Sequence, residues 1–326
     1  MYLIDNSNFC YKFRSVYSWA KKEVNGVLVD TSVLVGYIRS LKSNLFDNIV
    51  IVLDGVPVQS LDSLQGYKGQ RSKEKDGIGL GVPYLEVVKF LSKIGSLIGK
   101  QVQVVCAPQQ EADQVISSIC HLVTNNLPPR ASFIEMLNTK ELSSDRVLKY
   151  LDVPELRKHK LDVSASTSVV IASTDADMLQ LQRFDGVCVD TSTSGKQVSH
   201  VTTAKAVCDL PPAAVPLYKA IYGDVSDNIP PIGLKHYTKE HVCKVLSKVS
   251  GAKTAESFHK FINSGPIEGL DINLQKIATA IAVEKKVQDF NRNWDVTFLK
   301  FYSTPFVLNF DDYDINDTIK KYGLRI

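Results

Sequence analysis

Short apolar runs separated by polar punctuation set the layout of this chain. Val169 to Ala172 is unbroken apolar sequence, 49–53 is another such run, Tyr2-Leu3-Ile4 is a shorter one, and 101–107 ends in Val-Val-Cys-Ala. Runs without alternation are the pattern of strands covered on both faces in a parallel sheet. Between them the period changes. Val33, Leu34, Tyr37, Ile38, Leu41 and Leu45 recur at helical spacing and predict a helix over 31–46, with further helices over 83–98 and 110–123. Strand alternating with helix predicts an α/β protein with a central, mostly parallel sheet flanked by helices.

The strands share a way of ending. The first stops at Asp5, followed by a turn at Asn6-Ser7-Asn8; the run at 48–53 stops at Asp54; and 169–172 passes through Ser173 and Thr174 to Asp175 and Asp177. One aspartate after a strand is ordinarily a turn residue or helix cap. Parallel strands of one sheet, however, place all these carboxylates along one edge, where they repel unless a cation lies between them. A divalent metal is the expected cation. Glu111 and Asp113 open the helix over 110–123 and suit its dipole without any metal; residues two apart do not share a helix face, so only near the first turn do both reach one cluster.

Other stretches lack this periodicity. From 55 to 81 the chain is polar and basic, with Tyr67, Lys68, Arg71, Lys73 and Lys75. A long unstructured loop directly after a candidate metal ligand is placed to meet a phosphate, Arg71 by a bidentate contact and Tyr67 by stacking on a base. Residues 125–165 read as an insertion with a short helix over 145–151, and 186–190 with 196–201 as a strand pair. After Pro211-Pro212 the composition turns helical, with helices over 215–222, 238–249, 255–262 and 274–287. The turn-rich junction 223–233 returns Asp224 and Asp227 to the acidic edge. Residues 298–326 carry short apolar runs and no recognisable chemistry.

Composition narrows the class. With 326 residues and 44% apolar content the chain builds a core without disulfides, and a net charge of +3 is too small by itself to argue for nucleic acid. Six cysteines lie far apart with no Cys-x-x-Cys pair, so reduced thiols in a cytoplasmic protein are expected. The N-terminus opens directly on a strand-like run and no apolar run reaches the length of a membrane span, so neither secretion nor membrane insertion is expected.

Taken in order, "LIDNSN", "VLDG", "YKGQR", "QQEADQ", "STDADMLQL" and "YGDVSDNIP" resemble the 5′-nuclease and flap endonuclease family, which includes bacteriophage 5′-3′ exonucleases and the 5′-nuclease domain of bacterial DNA polymerase I. The match runs from residue 1 to about residue 233. The resemblance implies a PIN-like 5′-nuclease fold over 1–210, with a helical arch at about 55–82, and a helical duplex-binding region over 211–326 that contains a helix-hairpin-helix element. It implies a metal set of Asp5, Asp54, Glu111 and Asp113 beside a second set of Asp175, Asp177, Asp224 and Asp227, holding two Mg²⁺ or Mn²⁺ ions. Lys68 and Arg71 match catalytic arch residues; Tyr67, Lys73, Lys75, Gly233 and Lys235 match substrate-binding positions. K⁺ is implied at the hairpin turn. Three departures stand out: Gln114 replaces a further acid of many bacterial and phage relatives, Pro231 to Lys235 lacks the family's second glycine pair, and Glu111 and Asp175 are unusually far apart.

The chemistry so implied is two-metal hydrolysis, in which ions about 3.5 to 4 Å apart act on an in-line displacement at phosphorus. The expected substrate is DNA with a 5′ end, flap or nick, or an RNA-primed duplex, in replication or repair. A polymerase or single-strand-binding protein is a further partner, and the chain is expected to be a stand-alone monomer of bacteriophage or bacterial type. A second reading is a DNA-structure-binding protein on the same fold with weakened catalysis.

Overall fold

The computed structural model describes residues 1–55, 81–107, 110–125, 159–160, 168–191, 210–233, 237–249, 255–281, 283–302, 305–308, 310 and 312–326. The apolar runs form one sheet. Its strands are β1 (Tyr2–Asp5), β4 (Asn48–Val52), β5 (Gln101–Cys106), β6 (His159–Lys160), β7 (Val169–Ala172), β8 (Val187–Asp190) and β9 (Phe306–Leu308), in the order β6-β9-β5-β4-β1-β7-β8. From β5 to β8 every pairing is parallel.

Both faces of β1, β4 and β7 are covered, which is why the sequence shows runs and not alternation. Tyr2, Ile4, Ile49 and Ile51 face one core with Phe9, Phe13, Tyr37, Phe90 and Leu91. Leu3, Val50, Val52, Val169 and Ile171 face the other, with Ile116, Ile119, Leu217 and Phe290. The helices α1 (Asn6–Val16), α2 (Ser32–Lys42) and α3 (Tyr84–Ile98) belong to the first face, and α4 (Ala112–Asn125), α5 (Val215–Tyr222) and α9 (Glu284–Thr297) to the second. Between α5 and α9 lie α6 (Lys239–Lys248), α7 (Ala255–Asn263) and α8 (Ile272–Ile281). No helix among the described residues is long and apolar enough to cross a membrane.

The structure departs from the sequence reading in definite places. Asn6-Ser7-Asn8 is the first turn of α1, not a free turn: Asp5 ends β1 and also caps the helix, accepting the Asn8 N–H at 3.2 Å. An antiparallel hairpin of β2 (Lys21–Val24) and β3 (Val27–Asp30) precedes α2, with Asn25 (φ 51°) and Gly26 (φ 79°) at its tip. The helix expected over 274–287 is two helices, α8 and α9. β8 runs parallel to β7, while residues 196–201 lie outside the described residues.

The C-terminal segment returns to the sheet. β9 pairs antiparallel with β5, and α10 (Ile315–Tyr322) docks on α3, where Glu86 accepts from Lys321 Nζ at 3.0 Å and from the Tyr322 hydroxyl at 2.8 Å. One cysteine expectation also fails. Cys10, Cys106, Cys120 and Cys188 are free thiols, but Cys243 on α6 is disulfide-bonded. Pairing depends on proximity in the fold, which spacing along the chain does not reveal.

Candidate metal centre at the carboxyl edge of the sheet

The register of the parallel strands determines where the acids meet. Asp5 pairs with Val52, and Ile4 with Ala172, so the chain leaves β1, β4 and β7 at one edge, at Asp5, just before Asp54 and just before Asp175. A web of hydrogen bonds holds these exits together. Ser173 donates its hydroxyl to Asp5 Oδ2 at 3.1 Å, Ser7 donates to Asp54, and Asn8 Nδ2 donates to Thr174 Oγ1 at 2.7 Å. Asp175 receives the Asp177 N–H at 3.0 Å as the cap of the 3₁₀ segment Ala176–Arg183, while its own N–H donates to Ser173 Oγ at 3.1 Å.

The N-terminus of α4 closes the edge from the other side. Asp54 Oδ1 accepts the Ala112 N–H at 2.8 Å, a charge-assisted bond to a helix N-terminus. Gln114 is buried, and its Oε1 accepts the Glu111 N–H at 3.1 Å. That is the return half of a capping box, so the side chain serves the helix end. Glu111 and Asp113 are both half-buried. The Asp113 carboxylate accepts the Gln114 N–H at 2.7 Å, and its charge, after burial, helps to push the pKa of the Tyr302 hydroxyl up.

Electrostatics mark the edge as strained. Asp5 is 8% exposed, and burial first, then the charge of Asp54 and more weakly that of Asp175, pushes its pKa up to about 7. Burial likewise pushes Asp177 up to about 7, with Lys219 opposing and Asp175 and Asp227 adding to it. Such carboxylates gather charge that the protein does not fully compensate.

A tight loop delivers the last acids. The Asp224 N–H donates to the Ile229 carbonyl at 2.9 Å and the Ile229 N–H to the Asp224 carbonyl at 2.8 Å, closing residues 224–229 on themselves. Gly223 makes the closure possible: its φ is 81°, and a Cβ there would lie 2.6 Å from the Ile229 carbonyl oxygen. Asn293 of α9 staples the loop from behind, donating to the carbonyls of Ala220 at 3.0 Å and Pro230 at 2.7 Å.

Among the described residues, Asp177, Asp224 and Asp227 are the group whose oxygens come within 4.8 Å of one another. Asp5 interacts electrostatically with Asp54 and Asp175, and Asp177 in turn with Asp175, which links the strand ends to this trio. Glu111 and Asp113 are not part of it. The donor set fits a hard divalent cation, being all carboxylate.

Lys219 was not singled out by sequence reasoning. Its Nζ lies 2.5 Å from Asp177 Oδ1 and 2.7 Å from Asp224 Oδ2, on a helix that is buried nearly all round. Burial disfavours this ammonium, but Asp177, Asp224 and Asp175 outweigh it and hold its pKa above the ordinary lysine value. On Asp224 the effect is the reverse: burial raises the carboxyl, and Lys219 outweighs that to lower it. The available signal was a lone lysine within the apolar run Val215 to Ile221.

Tyr67, Lys68, Arg71, Lys73, Lys75 and Lys235 lie outside the described residues. Gly233 adopts φ 65°, and its carbonyl accepts from Lys286 Nζ at 3.0 Å. An ammonium therefore faces the turn at which K⁺ was expected.

No protein-family model and no curated protein matches the chain. Solved structures do. A bacteriophage T5 flap endonuclease, in a pseudo-enzyme-product complex with DNA and metal ions, gives a TM-score of 0.52 at 17% identity over 99% of this chain and 93% of that one. A T5 protein co-crystallised with metal ions gives 0.51 at 16% identity, covering 91% and 90%. The T5 5′-exonuclease with bound divalent zinc ions gives 0.51 at 17%, covering 91% and 89%. The mostly parallel sheet, its helical flanks and the shared path over nearly the whole chain make this the PIN-like 5′-nuclease fold.

Proposed function

We propose that the chain is a metal-dependent nuclease that hydrolyses phosphodiester bonds of DNA near 5′ ends, flaps or nicks, and of RNA-primed duplex, in replication or repair. The observation that carries this reading is the convergence of Asp5, Asp54 and Asp175 at one strand edge, continued by the trio of Asp177, Asp224 and Asp227. Solved structures of the same fold, a T5 5′-exonuclease with bound zinc ions and a T5 flap endonuclease complex with DNA and metal ions, support it. Mg²⁺ or Mn²⁺ would be held by these acids, with Glu111 and Asp113 as further candidate ligands. Bound there, the ions would supply Lewis acidity for an in-line displacement at phosphorus.

The chain's own residues do the rest. The web of Ser7, Ser173, Asn8 and the Ala112 N–H fixes carboxylate orientation before any substrate arrives, so little reorganisation remains for the chemical step. Lys68 and Arg71 are assigned to charge stabilisation at the phosphate, Tyr67 to stacking, and Lys73, Lys75, Gly233 and Lys235 to the nucleic-acid backbone. A polymerase or a single-strand-binding protein is the proposed partner class, and a monomer the proposed state.

One observation favours the second reading, a DNA-structure-binding protein with weakened catalysis: Lys219 already neutralises two of the acids. A labelled panel of blunt duplex, nicked duplex, 5′ flap and RNA-primed duplex, incubated in Mg²⁺, Mn²⁺ and EDTA, separates the two. The nuclease reading expects product with either metal and none in EDTA. A salt-dependent complex without product under all conditions supports the binder.

A further inference from the structure

The trio that best fits a cation already contains one. Lys219 Nζ stands between Asp177 Oδ1 and Asp224 Oδ2, contacting oxygens of two of the three residues that come together as a candidate metal group. Both partners are nearly enclosed, with side-chain exposures of 10% for Lys219 and Asp177 and 14% for Asp224. The Lys219 side chain projects from α5, where the Gly223 N–H bonds the Lys219 carbonyl at 2.9 Å, so the backbone is fixed and any exchange is a movement of the four-carbon side chain.

We propose that Lys219 is a tethered counter-cation that exchanges with a divalent ion at Asp177, Asp224 and Asp227, and is a positioning residue for the site's second metal. The inference rests on the metal-dependent reading above. Removing the ammonium from two buried carboxylates without replacement leaves uncompensated charge, which is strongly unfavourable. A divalent ion supplies that replacement, and repulsion between the two cations at such distances then excludes the ammonium from the trio. Asp177 Oδ1 is the oxygen at stake in this exchange: it holds the ammonium at 2.5 Å, and an incoming ion takes that same oxygen from Lys219. Asp5 and Asp54 show no such ion pair among the described residues, whereas Asp177 and Asp224 do, and the two ends of the edge should therefore differ in affinity, the Asp177 end filling last.

Two measurements test this. In the unaltered chain, Mn²⁺ binding is followed by calorimetry while lysine reactivity toward an amine-modifying reagent is read by peptide mass spectrometry, with exposed Lys42 as the internal reference. The expected result is several-fold greater labelling at Lys219 in saturating Mn²⁺ than in EDTA, with Lys42 unchanged. In parallel, Lys219→Met, prepared in Mn²⁺, is expected to bind its weakest Mn²⁺ roughly tenfold or more tightly than the unaltered chain, in line with loss of a competing charge. Mn²⁺ binding with Lys219 labelling unchanged or reduced overturns the exchange and leaves the nuclease reading standing. An unchanged or weaker last Mn²⁺ in Lys219→Met overturns it equally. Absence of any Mn²⁺ binding by the unaltered chain overturns both.

Discussion

Asp54 accepts the backbone N–H of Ala112 at 2.8 Å, so the end of β4 and the start of α4 are locked together through a carboxylate that also receives the Ser7 hydroxyl. This one side chain joins three elements at the acidic edge. Asp54→Asn keeps an oxygen acceptor for Ala112 and removes the charge. Thermal stability is expected to change little, while Mg²⁺ affinity and cleavage fall by about 10- to 100-fold or more. Calorimetric metal titration beside a melting curve checks both halves.

Asp5 gives a pH prediction. Burial and Asp54 raise its folded pKa to about 7, above the unfolded carboxylate value, so its neutral form favours the fold. That contribution is fully present below about pH 4 and is lost as pH rises through about 7. In EDTA, then, the acidic edge costs more stability at pH 8 than at pH 5, and Mg²⁺ should raise the melting temperature more at pH 8. Equal Mg²⁺ shifts at both values would count against a metal being held at Asp5.

Gln114 is assigned to the helix end. Gln114→Ala removes the acceptor for the Glu111 N–H and should cost about 1 kcal/mol of stability, as a lost cap does. Turnover at saturating Mg²⁺ should stay within a few-fold. Chemical denaturation and initial-rate assays on one preparation test the two numbers, and a collapse in turnover at unchanged stability would make Gln114 part of the metal chemistry.

Much of this was legible in the sequence, for physical reasons. Strands buried on both faces announce themselves as unbroken apolar runs, and acids at their carboxyl ends must converge once the strands are parallel; Asp5, Asp54 and Asp175 follow from those two facts. α1 was hidden because Asn6, Ser7 and Asn8 form turns as readily as first helical turns, and because Phe9 and Phe13 are its only large buried residues. The hairpin of β2 and β3 is mostly exposed and carries no apolar alternation, although Asn25-Gly26 is a recognised hairpin signal that could have located it. Lys219 was missed since a lysine within a helix reads as solvent-facing until the fold shows which acids surround it. β9 could not be found at all from its own three residues; its pairing with β5 is a property of the whole chain.

Gly233 tests the proposed duplex-binding region. Its left-handed φ disfavours any side chain, and a Cβ would lie 3.1 Å from Lys286 Nζ. Gly233→Ala is expected to cost roughly 1 kcal/mol of stability and to weaken binding to a blunt duplex in EDTA. Since Lys286 already meets the Gly233 carbonyl, replacing K⁺ by Na⁺ should alter duplex affinity little. Fluorescence anisotropy in the two salts at matched ionic strength reads both effects.

The central claim is that acids at one sheet edge hold the metals that cleave DNA. Cleavage of a 5′-labelled flap duplex in Mg²⁺ by the unaltered chain, Asp175→Asn and Asp177→Asn tests it most directly, with duplex binding measured on the same samples. Asparagine keeps an acceptor for the cap at residue 175, so loss of activity is not confused with loss of fold. The account predicts product from the unaltered chain that vanishes in EDTA, and cleavage reduced about 100-fold or more in both variants with binding retained. Cleavage by either variant at the unaltered rate would contradict it.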